Sequence, residues 1–544
     1  MEKRESTKFI IIDNHGNVIY AGVTKNKLSQ LAISINEEGY TVQKVGIRTT
    51  NKMANVWLEK YLQKYMSNHN NQLPKYNQID MYKGISPLSI TINNLGIIKE
   101  ATIDLSKKLV LLCGPNNTGK TYVSYIANAL LGYRGGFYNK DFSEEQMNRF
   151  YKQNEFTFTL EKKNIIQLRE QEIKYINGDL ESIFGLSREK VKKLFLDSNV
   201  HFTMSNQLYW EYLKEERIEI EAETEYFKVA IMKEAGDLKV MVKNVSTQQE
   251  MISSRMYVRR FLWGYIHYLI INYPCANTIM FPVERNSVYT FSKELSINRN
   301  ILFDEIQSLR NNISPLEFIH KRSTRYPLAI RNILEIAEDL SNLQKRDSIY
   351  SKFASEIEHD LLRGKVEISQ EGDMQFSPMG NKKKLPIHLT ASVIKTLSSI
   401  TFYLRHLAQP NDLVIIDEPE LNLHPDGQIL LAKIFGRMLN SGLRLIISTH
   451  SDYIIREINN LIMLSSSNSE VKRIAVNYGY NIEKEALSHQ EVNAYLFIKS
   501  HDGSVVVEKL DVDKYGFSVK TIDDVIAQQN RSSEDLYDAL RYGN

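Results

Sequence analysis

The feature that most constrains this chain is an eight-residue segment, residues 114–121, with the pattern G-x-x-x-x-G-K-T. A continuous apolar run at 109–113 precedes it, and residues 122–131 have the apolar spacing of a helix. A buried strand that turns through glycines into a helix gathers backbone N–H groups at the helix N-terminus, where they bind phosphate oxygens. The segment therefore predicts a phosphate-binding P-loop between a strand and a helix.

The residue types of this loop indicate distinct roles around a nucleoside triphosphate. We expect Lys120 to neutralise the β- and γ-phosphates, and the hydroxyl of Thr121 to coordinate Mg²⁺. The other residues expected to contact the phosphates are Gly114, Asn116, Asn117, Thr118 and Gly119. The alternative is a glycine turn that only starts a helix.

A second motif lies much later in the chain. The apolar run 413–416 ends in Asp417 and Glu418, which is the pattern of a Walker B strand. In such a strand Asp417 is expected to hold Mg²⁺ through water, and Glu418 to act as general base on the attacking water. Strands often end in acidic turns, so the pattern alone is weak evidence for a Walker B strand. The P-loop earlier in the chain makes that interpretation strong.

A third apolar run, 445–447, leads through Ser448 and Thr449 to His450. A histidine at this place can hydrogen-bond the γ-phosphate and sense its presence. Taken alone, a histidine at the end of a strand is more often an ordinary loop residue. The order of the three motifs favours the catalytic interpretation.

The spacing of the motifs resembles a known class of ATPases. Thr121 and Asp417 are 296 positions apart, whereas simple P-loop enzymes place the two motifs much closer. A long insertion, then an Asp-Glu strand, then a strand ending in His resembles the heads of ABC-type ATPases, which include the SMC and RecF heads and the OLD-like group. The resemblance implies an α/β head with a mixed sheet and an antiparallel lobe, binding ATP and Mg²⁺.

In such heads a signature loop precedes the Walker B strand and caps the ATP held by a second subunit. The matching place here is 389–396, at the start of a helix that runs to His406. The resemblance implies that Ser392 contacts ATP in trans, and we also expect it to cap the helix. OLD-like relatives usually have Ser-Ser-Gly here. Val393 departs from that pattern, because valine cannot copy the close backbone approach of glycine.

Further segments are typical of the OLD-like group. They are Glu-Leu-Asn-Leu-His-Pro at 420–425, Thr-His-Ser-Asp at 449–452 and Pro-Val-Glu-Arg at 282–285. Within the group the chain resembles ATPase subunits of bacterial anti-phage defence, namely PtuA of Septu, including its retron-associated versions, and AriA of PARIS. This implies a dimer or higher oligomer that controls a separate nuclease effector. The last residue of the 282–285 segment, Arg285, is expected to make a structural salt bridge, or else to reach phosphate or a partner subunit.

Two other functions remain open from the sequence. One is a DNA-repair ATPase of the RecF or SMC type that binds DNA directly, and the other is a nucleotide-gated scaffold with slow hydrolysis. The formal charge of only +3 gives no overall electrostatic attraction to nucleic acid, although a local RNA- or DNA-binding face is compatible with it. Asp511 and Asp513 imitate part of a Toprim nuclease motif, but the expected glutamate-bearing strand is missing upstream, so we expect no nuclease site in this chain.

Composition predicts the compartment. The chain has two cysteines, too few to staple 544 residues, which is typical of a reducing cytoplasm. The N-terminus is charged, and the apolar stretch 261–273 is too short to span a membrane. We therefore expect a cytoplasmic protein with no membrane contact.

The pattern along the chain predicts four segments. They are a small N-terminal α+β module at 1–82, a first part of the head at 83–292, a helical insertion at 293–362 and a second part of the head at 363–544. Within the module we expect a hairpin around 13–17 and helices over 25–36 and 55–66. Within the head we expect a buried helix over 256–273.

Overall fold

The computed structural model divides into two compact units, Met1–Pro87 and Leu88–Asn544. The residues that it describes are 5–12, 18–24, 41–44, 49–50, 88–132, 143–161, 173–174, 176–204, 210, 214, 217–223, 228–246, 258–259, 262, 275, 277–291, 326–380 and 383–542.

In the first unit the described residues form one antiparallel sheet. Its strands are β1 (Glu5–Ile12), β2 (Val18–Thr24), β3 (Thr41–Lys44) and β4 (Thr49–Thr50). β1 pairs antiparallel with each of the other three. The predicted hairpin is thereby confirmed, while the helices predicted over 25–36 and 55–66 lie outside the described residues.

The second unit contains strands β5 to β20. They are β5 (Leu88–Leu95), β6 (Ile98–Asp104), β7 (Leu109–Cys113), β8 (Glu155–Thr159), β9 (Asn199–Met204), β10 (Ile218–Glu223), β11 (Lys228–Lys233), β12 (Lys239–Asn244), β13 (Thr278–Phe281), β14 (Gly364–Ile368), β15 (Met374–Pro378), β16 (Leu385–Pro386), β17 (Leu413–Asp417), β18 (Arg444–Thr449), β19 (Val492–Lys499) and β20 (Val505–Leu510). Among the described residues, nine of these strands form one mixed sheet in the order β13-β17-β18-β7-β19-β20-β6-β5-β9.

The centre of this sheet is parallel. β13, β17, β18, β7 and β19 pair in parallel, one with the next. Every residue of β7 and β17 is buried, as continuous apolar runs predict for strands covered on both faces. Parallel strands end at the same edge of a sheet. The P-loop therefore lies beside the turn that follows β17 at Glu418 (the Walker B turn) and the turn that follows β18 at His450 (the histidine turn).

The described residues of the second unit also form helices. They are α1 (Lys120–Gly132), α2 (Glu144–Gln153), α3 (Leu180–Phe184), α4 (Arg188–Leu194), α5 (Arg285–Thr290), α6 (Leu328–Glu338), α7 (Leu340–Leu343), α8 (Ser351–Ile357), α9 (Ser392–His406), α10 (Pro425–Asn440), α11 (Asp452–Met463), α12 (Ser469–Asn477), α13 (Ile482–Glu485) and α14 (Lys520–Tyr542), with a π-helical turn at Glu358–Leu362 and 3-10 turns at Ile387–Leu389 and His489–Glu491. Within the described part of the chain, no helix is both long enough and apolar enough to cross a lipid bilayer.

The sheet separates two apolar clusters. Alternate residues of β7 enter opposite sides: Leu109 and Leu111 join the cluster formed with α9, α10 and α11, whereas Val110 and Leu112 join the cluster formed with α1. This two-sided burial is the α/β architecture predicted from the sequence.

The predicted antiparallel lobe is present. β10, β11, β12 and β8 form an antiparallel sheet in that order, and β14, β15 and β16 form a smaller one. Within these sheets, β11 pairs antiparallel with β12, and β14 pairs antiparallel with β15.

The described residues of the predicted helical segment, 326–362, are helical over most of their length. They pack into the head: Ile333 and Ala354 are fully buried in the same cluster as β17 and β18. The part of the segment from 293 to 325 lies outside the described residues. Of the helix predicted over 256–273, only residues 258, 259 and 262 are described.

The central strands supply a stability prediction. Ile415 of β17 is fully buried in the apolar cluster formed with α1. Ile415→Ala therefore leaves a cavity and should lower the free energy of unfolding by about 2–5 kcal/mol. The matched control is Ile349→Ala, because Ile349 is 70% exposed, and its effect should stay within about 0.5 kcal/mol. Urea unfolding of the two variants measures the difference, and equal effects would contradict the burial of Ile415.

Candidate active site

The loop between β7 and α1 adopts a conformation that requires its glycines. Gly114 has φ 141° and Gly119 has φ 88°, both disfavoured for other residues. A Cβ on Gly114 would lie 2.8 Å from the carbonyl oxygen of Phe497, and one on Gly119 would lie 2.8 Å from Cγ1 of Ile98. The glycines therefore allow the close packing that the P-loop pattern predicts.

The loop also orders its own polar groups. Thr118 is buried, and its hydroxyl donates to the carbonyl oxygen of Pro115 at 2.8 Å. Asn116 and Asn117 are exposed at the tip, and Asn117 has a left-handed φ of 59°. The loop thus presents an accessible, curved backbone at the N-terminus of α1.

Lys120 turns back into this loop. Its Nζ donates to the carbonyl oxygens of Gly114 and Pro115, both at 2.8 Å. Burial lowers the pKa of Lys120, although the nearby carboxylates of Glu418 and Asp417 oppose that effect. The ammonium group bonds oxygen acceptors of the kind that phosphate oxygens offer, which fits the role expected for it.

Asp417 joins the first two motifs across the sheet edge. Its Oδ2 accepts a hydrogen bond from the Thr121 hydroxyl at 2.8 Å, and its Oδ1 accepts one from the Ser448 hydroxyl. Burial raises the pKa of Asp417, while both hydroxyl hydrogen bonds lower it. A carboxylate beside a hydroxyl is a set of hard oxygen donors, so these residues fit Mg²⁺.

Glu418 follows in a strained backbone conformation, with φ 44°. Its N–H donates to the carbonyl oxygen of Ser448 at 3.1 Å. Nδ1 of His450 lies 3.8 Å from Oε1 of Glu418 and 3.3 Å from Oε1 of Glu420. The third motif therefore meets the second, as its place in the sequence predicts.

Glu420 holds the histidine turn. Its Oε1 accepts hydrogen bonds from the Thr449 hydroxyl at 2.7 Å and from the His450 N–H at 2.8 Å. Glu420 is 5% exposed, and its Oε2 is buried with no hydrogen-bond partner among the described residues. Sequence reasoning assigned no role to Glu420 or Ser448. The sequence offered two signals for them: Glu420 lies two residues after Glu418, and Ser448 follows the apolar run that leads to His450.

Arg285 forms no salt bridge with any residue that the structure describes, contrary to the expectation of a structural salt bridge. Its guanidinium is fully buried and donates to main-chain carbonyl oxygens, including those of Asp417 at 2.9 Å and Glu418 at 3.1 Å. The expectation was wrong because β13 ends beside β17 in the parallel sheet, which places the side chain under the Walker B turn and away from the surface.

Ser392 lies apart from this cluster. Within the described residues, no hydrogen bond or ion pair joins it to the P-loop or to the Walker B turn. The expectation that it caps α9 is wrong: Ala391 occupies the N-cap with extended dihedral angles, and Ser392 is the first helical residue. In the described part of the chain no side-chain hydrogen bond caps this helix, and Ser392 is exposed.

Comparison with protein-family models agrees with the ATPase motifs. The family model described as AAA ATPase domain matches residues 88–455, and no curated protein gives a significant match. Three structures of SMC heads are similar to this chain over most of its length. One is an Smc head bound to the C-terminal winged-helix domain of ScpA, with 11% identity, a TM-score of 0.31, and coverage of 78% of this chain and 98% of that one.

The second is an Smc head with an extended coiled coil, bound to the C-terminal domain of ScpA derived from Pyrococcus furiosus. It has 11% identity and a TM-score of 0.31, and the match covers 81% of this chain and 98% of that one. The third is the SMC head domain from Thermotoga maritima, with 9% identity, a TM-score of 0.28, and coverage of 78% and 98%. Since the family model spans well over half of the sequence, including the P-loop and the Walker B strand, this chain belongs to the AAA ATPase domain family.

Proposed function

We propose that this chain is the ATP-binding and ATP-hydrolysing subunit of a bacterial anti-phage defence complex. Two or more copies close on ATP and control a separate toxic effector, a nuclease. The observation that carries the ATPase part is the hydrogen bond between Thr121 and Asp417, which joins the two motifs across 296 positions. The defence role rests on the resemblance of the motifs to the Septu and PARIS ATPases.

The proposed reaction is the hydrolysis of ATP to ADP and phosphate. Lys120 and the backbone N–H groups of the loop bind the phosphates, and Glu418 accepts a proton from the attacking water. The bond between the γ-phosphorus and the oxygen that bridges to the β-phosphate breaks as the new oxygen–phosphorus bond forms. Thr121 and Asp417 would hold Mg²⁺, which neutralises phosphate charge. In this proposal His450 contacts the γ-phosphate and senses its presence.

Ser392 is proposed to complete the site of a second copy. Its exposure at the start of α9 supports this, because a hydroxyl beside the free N–H groups of a helix start is suited to phosphate oxygens. In this proposal ATP holds two heads together, and hydrolysis releases them.

Ser392→Ala should therefore weaken ATP-dependent association and lower ATP turnover by about 10-fold, as expected for the loss of one hydrogen bond to a charged group. Thermal stability should not change. The matched control is Ser469→Ala, since Ser469 is also the exposed first residue of a helix, α12. Sedimentation with and without ATP measures the association. If both variants associate with ATP and turn it over equally, Ser392 has no role at the ATP site and is only the first residue of α9.

The remaining assignments follow from the same proposal. Residues 1–82 form a docking module for the effector or for nucleic acid, the head comprises 83–292 and 363–544, and 293–362 is the helical segment between its two parts. The complex acts in the cytoplasm.

Purification of the tagged chain from its native host tests the defence role. We expect a co-purifying nuclease whose DNA or RNA cleavage changes when Lys120→Ala replaces the wild-type subunit, and loss of phage protection with that variant. Recovery of DNA alone, with unchanged phage sensitivity, would favour direct DNA binding in repair, as in RecF-type heads.

A further inference from the structure

Arg285 occupies an unusual place for an arginine. It is the first residue of α5, directly after the loop that follows β13, and its exposed fraction is 0%. β13 pairs in parallel with β17, so that Phe281 lies opposite Ile416. The side chain therefore enters the protein immediately behind the Walker B turn.

The guanidinium donates hydrogen bonds to four main-chain carbonyl oxygens. Nη1 donates to Pro282 at 3.1 Å and to Asp417 at 2.9 Å, and Nη2 donates to Glu418 at 3.1 Å and to Pro419 at 3.4 Å. Three of these acceptors belong to consecutive residues. A single planar group thus fixes the direction in which the chain leaves β17.

The turn needs such support because Glu418 adopts a left-handed conformation, with φ 44°. That conformation is unfavourable for any residue with a Cβ. Ser448 accepts the N–H of Glu418, and Arg285 donates to its carbonyl oxygen. The two contacts hold the residue on both sides of its Cα and thereby fix the direction in which its side chain leaves the backbone.

The charge of Arg285 matters as well. Burial lowers the pKa of Arg285 to about 10, and the carboxylates of Asp417, Glu420 and Glu418 oppose this. The guanidinium is therefore charged at neutral pH and offsets part of the negative charge that these carboxylates bring to the sheet edge.

We propose that Arg285 is a positioning residue for ATP hydrolysis: its guanidinium holds the strained turn so that the Glu418 carboxylate faces the attacking water. This inference rests on the general-base role proposed for Glu418. Arginine suits the task because its planar fork carries separate donors on two nitrogens, whereas lysine has one nitrogen and cannot span the same acceptors.

The test uses Arg285→Lys, which keeps the charge and removes the fork. We expect kcat for ATP hydrolysis to fall about 10- to 100-fold, the range reached when a reacting group is displaced by about 1 Å. The affinity for a fluorescent ATP analogue should stay within about 3-fold, because Lys120 and the loop are unaltered. Arg285→Gln, which keeps two planar N–H donors without the charge, should show the same separation of kcat from affinity.

The matched control is Arg444→Lys. Arg444 also donates to main-chain carbonyl oxygens, those of Leu105 at 2.6 Å and Lys107 at 3.1 Å. It lies at the start of β18, at the opposite edge of the sheet from Glu418. We expect this variant to keep wild-type turnover and affinity.

A double variant separates positioning from general structural support. In the Glu418→Gln background no general base remains to be positioned, so adding Arg285→Lys should lower the residual rate by less than about 2-fold. A loss as large as in the wild-type background would overturn the proposal. Turnover of Arg285→Lys within about 3-fold of wild type would overturn it too, as would a parallel loss of ATP affinity, which indicates a structural residue.

The two levels of the proposal fail differently. If Glu418→Gln hydrolyses ATP at the wild-type rate, the proposed base and the ATPase mechanism are wrong. If Glu418→Gln is inactive and only Arg285→Lys behaves like wild type, the mechanism stands and the role of Arg285 is wrong.

Discussion

Lys120→Ala is expected to bind ATP about 100- to 1,000-fold more weakly than the wild type. The Lys120 ammonium donates two hydrogen bonds of 2.8 Å inside the P-loop. With ATP bound, the ammonium would donate such bonds to phosphate oxygens, and two bonds of about 1.5–2 kcal/mol each, at the lower end for a charged group, correspond to this range of affinity. Alanine also removes the positive charge that the phosphates require.

Titration with a fluorescent ATP analogue measures this effect. The control is Lys108→Ala, because Lys108 lies next to β7 at its opposite end and pairs with Glu491 at 2.6 Å on the surface. Removal of that exposed pair should leave ATP affinity unchanged. Wild-type affinity in Lys120→Ala would exclude residues 114–121 as the phosphate-binding loop.

Glu418→Gln is expected to lower kcat by about 10²- to 10⁴-fold, the contribution typical of a general base. The amide keeps the size of the side chain but cannot accept the proton of the attacking water. ATP affinity should remain within about 3-fold, since the phosphate-binding loop is unchanged. The variant should therefore accumulate in its ATP-bound state.

Phosphate release under saturating ATP measures the rate. Glu470→Gln is the control, because Glu470 is an exposed partner of Arg473 on α12, and it should hydrolyse ATP normally. A Glu418→Gln variant with wild-type phosphate release would place the general base elsewhere.

The sequence predicts the part of the site that depends on local pattern. The apolar runs of β7, β17 and β18 are long enough to indicate buried parallel strands, and each ends in the residues of a motif. Parallel strands end at one edge, and the structure adds that these three strands are neighbours, which brings Thr121, Asp417 and His450 together.

The sequence does not predict contacts that depend on the arrangement of distant segments. Arg285 lies 132 residues before Asp417 in the chain and meets its carbonyl oxygen only because β13 and β17 are neighbours. The N-cap of α9 is also predicted wrongly, since serine is preferred over alanine at an N-cap. The extended backbone of Ala391 begins the helix there without a side-chain hydrogen bond.

The helical segment is another case in which the sequence does not predict contacts between distant segments. Its pattern predicts helices, but not the elements that pack against them. In the structure Ile333, Leu334 and Ala337 of α6 have the spacing of one helix face, and all three are buried in the cluster that includes β17. Which face of a helix meets the core is visible in the sequence, whereas the partner that covers it is not.

The most direct test of the central claim is the mass of Glu418→Gln in solution, measured by size-exclusion chromatography with light scattering, with and without ATP and Mg²⁺. The protomer has a mass of 63.1 kDa. The account predicts a dimer or larger assembly with ATP and Mg²⁺, reduced when Ser392→Ala is added. A protein that binds ATP and remains a monomer at saturating ATP and Mg²⁺ would contradict the claim that two heads close on the nucleotide.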